Sequence, residues 1–441
     1  MRHWFKDQHF RSLLKNSSYL GVSKIVAALC GITTLALAGR GLGVILFGSL
    51  ILISRYAKAV NGLTMFQSWQ LIIRYGGRAL HGEVDDFKTS TGFAFGLDLV
   101  GGFTGMVVGI ALLPFIAQWV GIARGQVWFA MLYCTLLPIM GTATPTGVLR
   151  ALDRFDLISW SDTVMPISRV ILVIIAFAAG VPFAAYVGVW YLTELGANIF
   201  LWLITLRELR RRELLSALRP TLRPQTLQGA WRFAIHVNVT SSIQAAWGPI
   251  ARLVVGGLLG PAGAALFRVA SVLSDSAAKP ADLLSKAFYP EVVRMDLTTK
   301  KPWKLMLRGT ALAGGLALIA ILILLFGGKG LLALLFGKQF VGAYSALVIL
   351  MIVPFLGVLS FPLLPMLYAL DRPDGPLKAR IAGTLLFFLL IAPLSWSLGI
   401  AGAAIAFVIG SSTTVSVMVW QLYHEHRRLR PRRTKGAPRE A

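Results

Sequence analysis

The chain has 441 residues, of which 56% are apolar and only 14% charged, against about 45–50% and about 25% in soluble domains. Its 43 Lys and Arg outnumber 19 Asp and Glu, giving a formal net charge of +24. A mean hydropathy of +0.70 excludes a string of soluble domains, because so few polar residues cannot cover several globular surfaces; nor does the basicity mark a nucleic-acid partner, whose ligands carry their charge on a polar chain.

Read in chain order, the N-terminus begins with Arg2, Lys6, Arg11 and Lys15, followed by an apolar stretch from Tyr19 to Ala38. That stretch is about 20 residues long, beyond the roughly 7–15 of a cleaved leader's apolar core, so a retained first helix is expected. A hydrocarbon core about 30 Å thick needs about 20 helical residues. With that ruler about twelve spans follow, at approximately 17–39, 44–67, 91–117, 126–148, 158–180, 182–206, 233–257, 264–289, 306–327, 342–369, 377–397 and 399–422. Apolar runs of this length are helices, not the roughly ten-residue alternating segments of a barrel. Cys30 and Cys134 fall inside spans without metal or redox spacing and read as small core residues.

These elements predict an all-α integral membrane protein. An N-terminal six-helix lobe covers 1–206, a basic linker 207–232, a second six-helix lobe 233–422 and a basic tail 423–441. Leu42-Gly43 at the first outer turn is echoed by Leu259-Gly260, about 217 residues later, so the lobes are expected to be a parallel pseudo-repeat. Six plus six spans in that relation point to a transporter.

Basic residues set the topology. Loops on one side hold 31 of them, including Arg74, Arg150, Arg154, seven arginines of the linker and seven basic residues of the tail; the opposite loops hold only Arg40, Arg124, Lys329 and Lys338. Both termini are therefore expected to be cytoplasmic. The linker and tail read as topological charge that also attracts anionic membrane lipid.

Eight cations and five acids remain inside spans, each costing on the order of 2.5–3.5 kcal/mol at mid-bilayer unless it faces protein or water. In the eighth span Arg268, Asp275, Lys279, Asp282 and Lys286 fall within about a 60° stripe of one helix. The seventh places Asn238, Ser241, Ser242 and Arg252 on one face, and the second carries Arg55 and Lys58 one turn apart. A polar, net-cationic cavity between the lobes is the expectation. Arg55, Lys58, Arg169, Arg252, Arg268 and Lys279 are the candidate substrate-binding residues, because arginine's planar fork binds phosphate oxygens bidentately and stays protonated. Asp98, Glu194, Asp275 and Asp282 are the ion-coupling candidates. The competing reading makes the Lys279–Asp282 and Asp282–Lys286 spacings self-neutralising pairs that lock helices. Trp190, Tyr191, Trp247 and Trp396 are candidate stacking platforms for sugar rings, against the commoner role of aromatic residues as packing or interfacial anchors.

Several stretches resemble a known family. They are Arg40-Gly41-Leu42-Gly43 with Phe47-Gly48, Leu149-Arg150-Ala151 with Arg154-Phe155, and Leu258-Leu259-Gly260 with Ala262-Gly263. Leu335-Phe336-Gly337-Lys338-Gln339-Phe340 and Leu398-Gly399 with Gly402-Ala403-Ala404 complete the pattern. Their order and spacing resemble the polysaccharide (O-antigen type) flippases of the multidrug/oligosaccharidyl-lipid/polysaccharide exporter superfamily. The resemblance implies a two-lobed transporter of polyprenyl-pyrophosphate-linked oligosaccharide, moved from the cytoplasmic to the periplasmic leaflet of the bacterial inner membrane through a cationic lumen. It also implies partnership with other surface-polysaccharide assembly proteins.

Two alternatives stand beside it: a cation-coupled multidrug exporter of the same superfamily, and a membrane polysaccharide polymerase or ligase. Arginine excess argues against the first, and the shortness of the outer loops against the second. Enzyme motifs, cofactor motifs and metal-ligand spacings are absent: Gly327-Gly328-Lys329-Gly330 lacks the phosphate-loop spacing, and His424 and His426 sit in a basic tail. No enzyme activity, cofactor, metal or nucleic-acid partner is expected.

Overall fold

A computed structural model describes residues 8–76, 84–224, 226–293, 301–363, 366–367 and 374–429, with side chains for 26–76, 84–224, 226–235, 249–277 and most of 314–425. Among the described residues every regular element is helical. In chain order they are α1 (Gln8–Thr64), α2 (Trp69–Gly76), α3 (Val84–Ile116), α4 (Val127–Cys134), α5 (Ala143–Ala151) and α6 (Phe155–Ala178). Then come α7 (Phe183–Arg211), α8 (Ala230–Val293), α9 (Lys301–Phe336), α10 (Tyr344–Leu350), α11 (Ile352–Ser360) and α12 (Asp374–Leu429). The chain forms two compact units: Met1–Ala265 with Leu335–Gln339, and Leu266–Leu334 with Phe340–Ala441.

Among the described residues, seven helical stretches are long and apolar enough to cross a membrane. Two of them, Val26–Gly76 and Gly375–Glu425, run 51 residues each, far more than one crossing needs. Their excess length is explained by single glycines that reverse the chain: Gly43 at φ 72°, ψ 173° inside α1, and Gly399 at φ 60°, ψ −136° inside α12. Gly260 does the same inside α8 at φ 70°, ψ −176°. This backbone region is essentially closed to residues with a Cβ.

The glycines also display the repeat. Gly43, Gly121 and Gly180 all have positive φ at turns of the first six spans away from the basic loops, and Gly260, Gly337 and Gly399 have it at the corresponding turns of the second six. Each pair lies about 217 residues apart, the signature of one six-helix unit laid down twice in the same orientation. Counted this way the chain has about twelve spans in two six-helix lobes.

The fourth span departs from the expected continuous helix. At 126–148 the chain forms α4, then tight turns from Thr135 to Thr142, then α5. Pro138 supplies no N–H and forces the break. The tenth span, by contrast, runs on from α10 into α11 through Met351, which keeps helical dihedral angles. A second departure lies on the side of the basic loops, where α2 forms a short helix holding Arg74 instead of a plain loop.

Large apolar side chains remain on the outside. Phe115, Trp119, Phe326 and Leu389 are 71–85% exposed, which only a hydrocarbon solvent makes favourable for so many residues at once. Exposed tryptophans sit near helix ends, with Trp119, Trp128 and Trp396 toward the turns away from the basic loops and Trp160, Trp231 and Trp420 toward the basic loops. That placement suits interfacial belts. At the end away from the basic loops, Arg40 Nε donates to Leu335 O at 3.0 Å and Gln339 Nε2 to Gly39 O at 3.2 Å, so the segments that carry the first and fourth family-like motifs meet.

Gly260→Ala isolates the conformational requirement, since a Cβ there would meet nothing within 4 Å. Thermal unfolding in detergent is expected to show a loss of about 1–3 kcal/mol for Gly260→Ala. Gly188→Ala, in open space within α7, is expected to be neutral or to gain up to about 1 kcal/mol.

Candidate functional site

The first unit encloses a charge network built by four helices. The second arm of α1 supplies Lys58, α6 supplies Arg169, α7 supplies Glu194 and the last turn of α4 supplies Tyr133. In α7, Trp190, Thr193 and Glu194 stand at i, i+3 and i+4 and so share a face. Arg169 lies opposite that face because α6 and α7 form an antiparallel hairpin about Gly180 and Val181. Both Arg169 and Glu194 sit near the middle of their spans.

The Glu194 carboxylate is fully engaged. Lys58 Nζ lies 3.1 Å from Oε1, while Arg169 Nη2 at 3.0 Å and the Tyr133 hydroxyl at 3.1 Å both donate to Oε2. Arg169 Nε donates to Thr193 Oγ1 at 2.8 Å, its Nη2 also reaches Trp190 O at 3.2 Å, and its guanidinium stands 5.1 Å from the centre of the Trp190 ring. Tyr191 OH and Thr135 Oγ1 share a hydrogen bond at 2.9 Å. The Arg169 and Glu194 side chains are only 11% and 9% exposed, whereas Lys58 is 29% exposed. Lys58 is the open edge of the network. Arg55 stands one turn before it on α1, half-buried and engaged in its own interactions.

The bonds made by Glu194 and Arg169 are charge-assisted, which makes each about twice as strong as a neutral one. The arrangement holds two cations against one anion, so a net positive charge is kept in an apolar interior. Arg169 thus has an internal carboxylate as partner, a pairing the sequence analysis did not draw. Its signal was present: the hairpin geometry puts residues of equal distance from the turn side by side. Tyr133 and Thr193 gave no such signal.

Asp98, on α3, has a different environment. Ser68 Oγ donates to its Oδ1 at 2.7 Å and the backbone N–H of Thr144 to its Oδ2 at 2.8 Å. Thr144 is in the first turn of α5, whose own N-cap residue Thr142 makes no side-chain cap. Asp98 therefore caps the helix that restarts after the break, satisfying a backbone donor that would otherwise be orphaned inside the membrane. A carboxylate is also the group that a helix N-terminus favours.

Of the remaining candidates, Arg252 in the first unit and Arg268 in the second are half-buried and engaged, and Asp275 is exposed. The side chains of Lys279 and Asp282, and those of Lys286, Asn238, Ser241, Ser242 and Trp247, lie outside the described residues. At the basic-loop end, Arg154 forks onto Asp156 at 2.9 and 3.0 Å and onto Glu208 at 2.6 Å, while Arg212 Nε reaches Glu208 at 2.9 Å. These bonds, Asp156 first, raise the Arg154 pKa above its ordinary value. Arg154 is thus a tie between α6 and α7 as well as a topological charge. No group of His, Cys, Asp and Glu able to hold a metal occurs among the described residues.

The network predicts a specific pattern of stability. Glu194→Gln leaves a buried cation without its countercharge and is expected to cost about 3–5 kcal/mol. Lys58→Met, at the open edge, is expected to cost no more than about 1–2 kcal/mol. The double variant Arg169→Met with Glu194→Gln is expected to lose less than the sum of its singles, read by thermal unfolding in detergent. For Asp98, Asn keeps one acceptor and Ala none, so Asp98→Ala is expected to open the 135–142 break to proteolysis more than Asp98→Asn.

Comparison with known proteins places this geometry. No family model matches the chain. The inner membrane protein YghQ of Escherichia coli (strain K12) is 40% identical over 348 residues, which cover 78% of this chain and 98% of that protein. Among solved structures, the inward-facing conformation of a multidrug resistance MATE family transporter of the MOP superfamily aligns with a TM-score of 0.74 at 16% identity, over 93% of this chain and 96% of the other. The lipid II flippase MurJ in an inward closed conformation aligns with a TM-score of 0.67 at 10% identity, over 93% and 89%. At these identities the two structures show a shared fold: the all-helical, two-lobed architecture of that superfamily.

Proposed function

The chain belongs to the family of the inner membrane protein YghQ, and on that premise we propose that it transports an anionic lipid-linked oligosaccharide across the inner membrane. The substrate is a polyprenyl-pyrophosphate-linked sugar chain, moved from the cytoplasmic to the periplasmic leaflet by alternating access. It serves surface-polysaccharide assembly alongside the other proteins of that process, and it is a transporter, not an enzyme.

The observation that carries this reading is the cation excess around Glu194. Lys58 and Arg169 bind one carboxylate, and Arg55 stands one turn away. A cationic drug entering such a place meets like charge in a low dielectric, where repulsion is strongest. A pyrophosphate meets the opposite. For this reason the multidrug reading, which the MATE fold would equally permit, is the weaker one.

The geometry supports an exchange step. Lys58 is the most accessible member, and Glu194 has two other donors. An arriving phosphate oxygen takes the Lys58 ammonium from Glu194, and the carboxylate stays ionised on Arg169 and Tyr133. When the substrate leaves, Lys58 returns to Glu194, so neither state strands a buried charge. With the basic loops cytoplasmic, an anion moving outward runs down the membrane potential. Two charges gain roughly 4–5 kcal/mol at 100 mV, enough to bias direction without ATP.

Proteoliposomes carrying a fluorescent polyprenyl-pyrophosphate oligosaccharide test this. Lys58→Met is expected to slow flipping at least tenfold, with Lys58→Arg recovering part of the rate, at unchanged insertion and folding. Unchanged flipping by Lys58→Met, or transport of a cationic dye in place of the lipid, would contradict the proposal. In cells, loss of the protein is expected to leave the lipid-linked sugar on the cytoplasmic leaflet.

A further inference from the structure

The basic linker is not a plain tether. After α7 ends, Glu213 takes a left-handed conformation at φ 60° and the chain turns into a short 3-10 segment, Leu215–Leu218. Ala217 is fully buried, packed with Ile72, Phe87, Val148 and Leu209. The next residues lie across α3. Thr221 N–H donates to Gly92 O at 3.1 Å, a Cβ on Gly92 would collide with Arg219 O, and one on Gly96 would come within 2.7 Å of Thr221 O. Only glycine lets this segment approach so closely. Trp231, at the start of α8, closes the other side, donating to Leu222 O at 3.1 Å and resting edge-on against Phe93 at 5.1 Å.

Docking in this way fixes where the linker's cations stand. Arg219 and Arg223 come to lie beside Lys88, one turn before Gly92 on α3, around an open cleft of about 360 Å³ whose hydroxyls come from Thr89, Ser216 and Thr226. No carboxylate lines the cleft, and none of the three cations is in an ion pair among the described residues. The acids closest in sequence, Asp85 and Asp86, occupy the first turn of α3, and Glu213 lies at the far end of the linker. Topology needs positive charge on this side but does not need three cations gathered round one concavity, where they repel one another. Leu215 and Leu222, next in sequence to lining residues, are each 44% exposed, and Trp231, which donates to Leu222 O, is 42% exposed. Exposed apolar and aromatic side chains of this kind suit the boundary between headgroups and acyl chains.

We propose that this cleft is a binding site for the phosphate headgroup of an anionic membrane phospholipid, with Lys88, Arg219 and Arg223 as its cationic ligands. Two arginines and a lysine with surrounding hydroxyls match a phosphodiester's oxygens, and these exposed side chains accept the first methylenes of the lipid. This site is separate from the Glu194 network and does not depend on what is transported. Because it joins the linker to α3, an occupied cleft ties the connection between the lobes to the membrane surface.

The test is binding by the purified full chain in phosphatidylcholine nanodiscs, with phosphatidylglycerol titrated in and Trp fluorescence or native mass spectrometry as readout. Lys88→Gln, Arg219→Gln and Arg223→Gln together are expected to weaken phosphatidylglycerol binding at least tenfold. The matched control, Arg207→Gln, Arg210→Gln and Arg211→Gln, removes the same charge from exposed positions on α7 and is expected to weaken it less than threefold. Equal losses in the two variants would make the attraction diffuse and overturn the site. Inorganic pyrophosphate, added to nanodiscs of phosphatidylcholine alone, separates a soluble ligand from a lipid: saturable binding there as strong as that of phosphatidylglycerol would overturn the lipid assignment. Unfolding temperatures of both triple variants are checked against the parent chain, and a fall in the first alone is answered by repeating the titration with Arg219→Gln as a single change, expected to weaken binding about threefold; full-strength binding by that variant would also overturn the site.

Discussion

A carboxylate at the middle of a membrane span survives only with its charge answered on the spot, and Glu194 is answered three times, by Lys58, Arg169 and Tyr133. Desolvating these ions costs several kcal/mol apiece, which excellent geometry and complete hydrogen bonding have to offset. That requirement reaches far into the first unit. It fixes the rotation of α7 so that Trp190, Thr193 and Glu194 face α6, it sets the depth of Arg169, and it draws α4 close enough for Tyr133 to donate. The same bonds leave Lys58 partly accessible, so the network that holds four helices together keeps one cation at its open edge.

The broken fourth span follows a similar logic. Backbone freed from helical bonding inside a membrane has to find partners within the protein. Turns through 135–142 supply some of them, and Asp98 supplies the acceptor at the restart of α5. Ser68, just before α2, shares that carboxylate. A single acid therefore joins the span break to the interfacial helix on the basic-loop side. Discontinuous helices in transporters commonly lie where substrates or ions are handled, and α4 ends one residue after Tyr133, at the Glu194 network.

Much of the architecture was legible in the sequence. Span length and apolar runs gave the helices, and Leu42-Gly43 against Leu259-Gly260 gave the repeat. Backbone angles extend that echo to two further glycine pairs, which composition alone did not single out because glycine is frequent throughout this chain. The interruption at Pro138 was hidden by the apolar character of its surroundings: hydropathy registers solvent preference and is blind to a missing N–H. Within the site, Lys58, Arg169 and Glu194 were recognisable as intramembrane charges, yet their pairing was not drawn, because it depends on the offset across a hairpin and not on spacing along one helix. Tyr133 was illegible for a simpler reason, as a tyrosine in an apolar span more often serves packing. The docking of the linker on Gly92 and Gly96 escaped as well, since a basic, proline-containing stretch between lobes looks like a tether until its backbone bonds are traced.

We propose that the cationic interior selects an anionic lipid carrier. The most direct measurement compares leaflet exchange in proteoliposomes of one oligosaccharide on two carriers, a charged polyprenyl pyrophosphate and a neutral lipid of equal chain length, with and without an imposed potential. Flipping of the charged carrier alone, accelerated when its exit side is made positive, is the predicted result. Equal flipping of both carriers, indifferent to the potential, would contradict it.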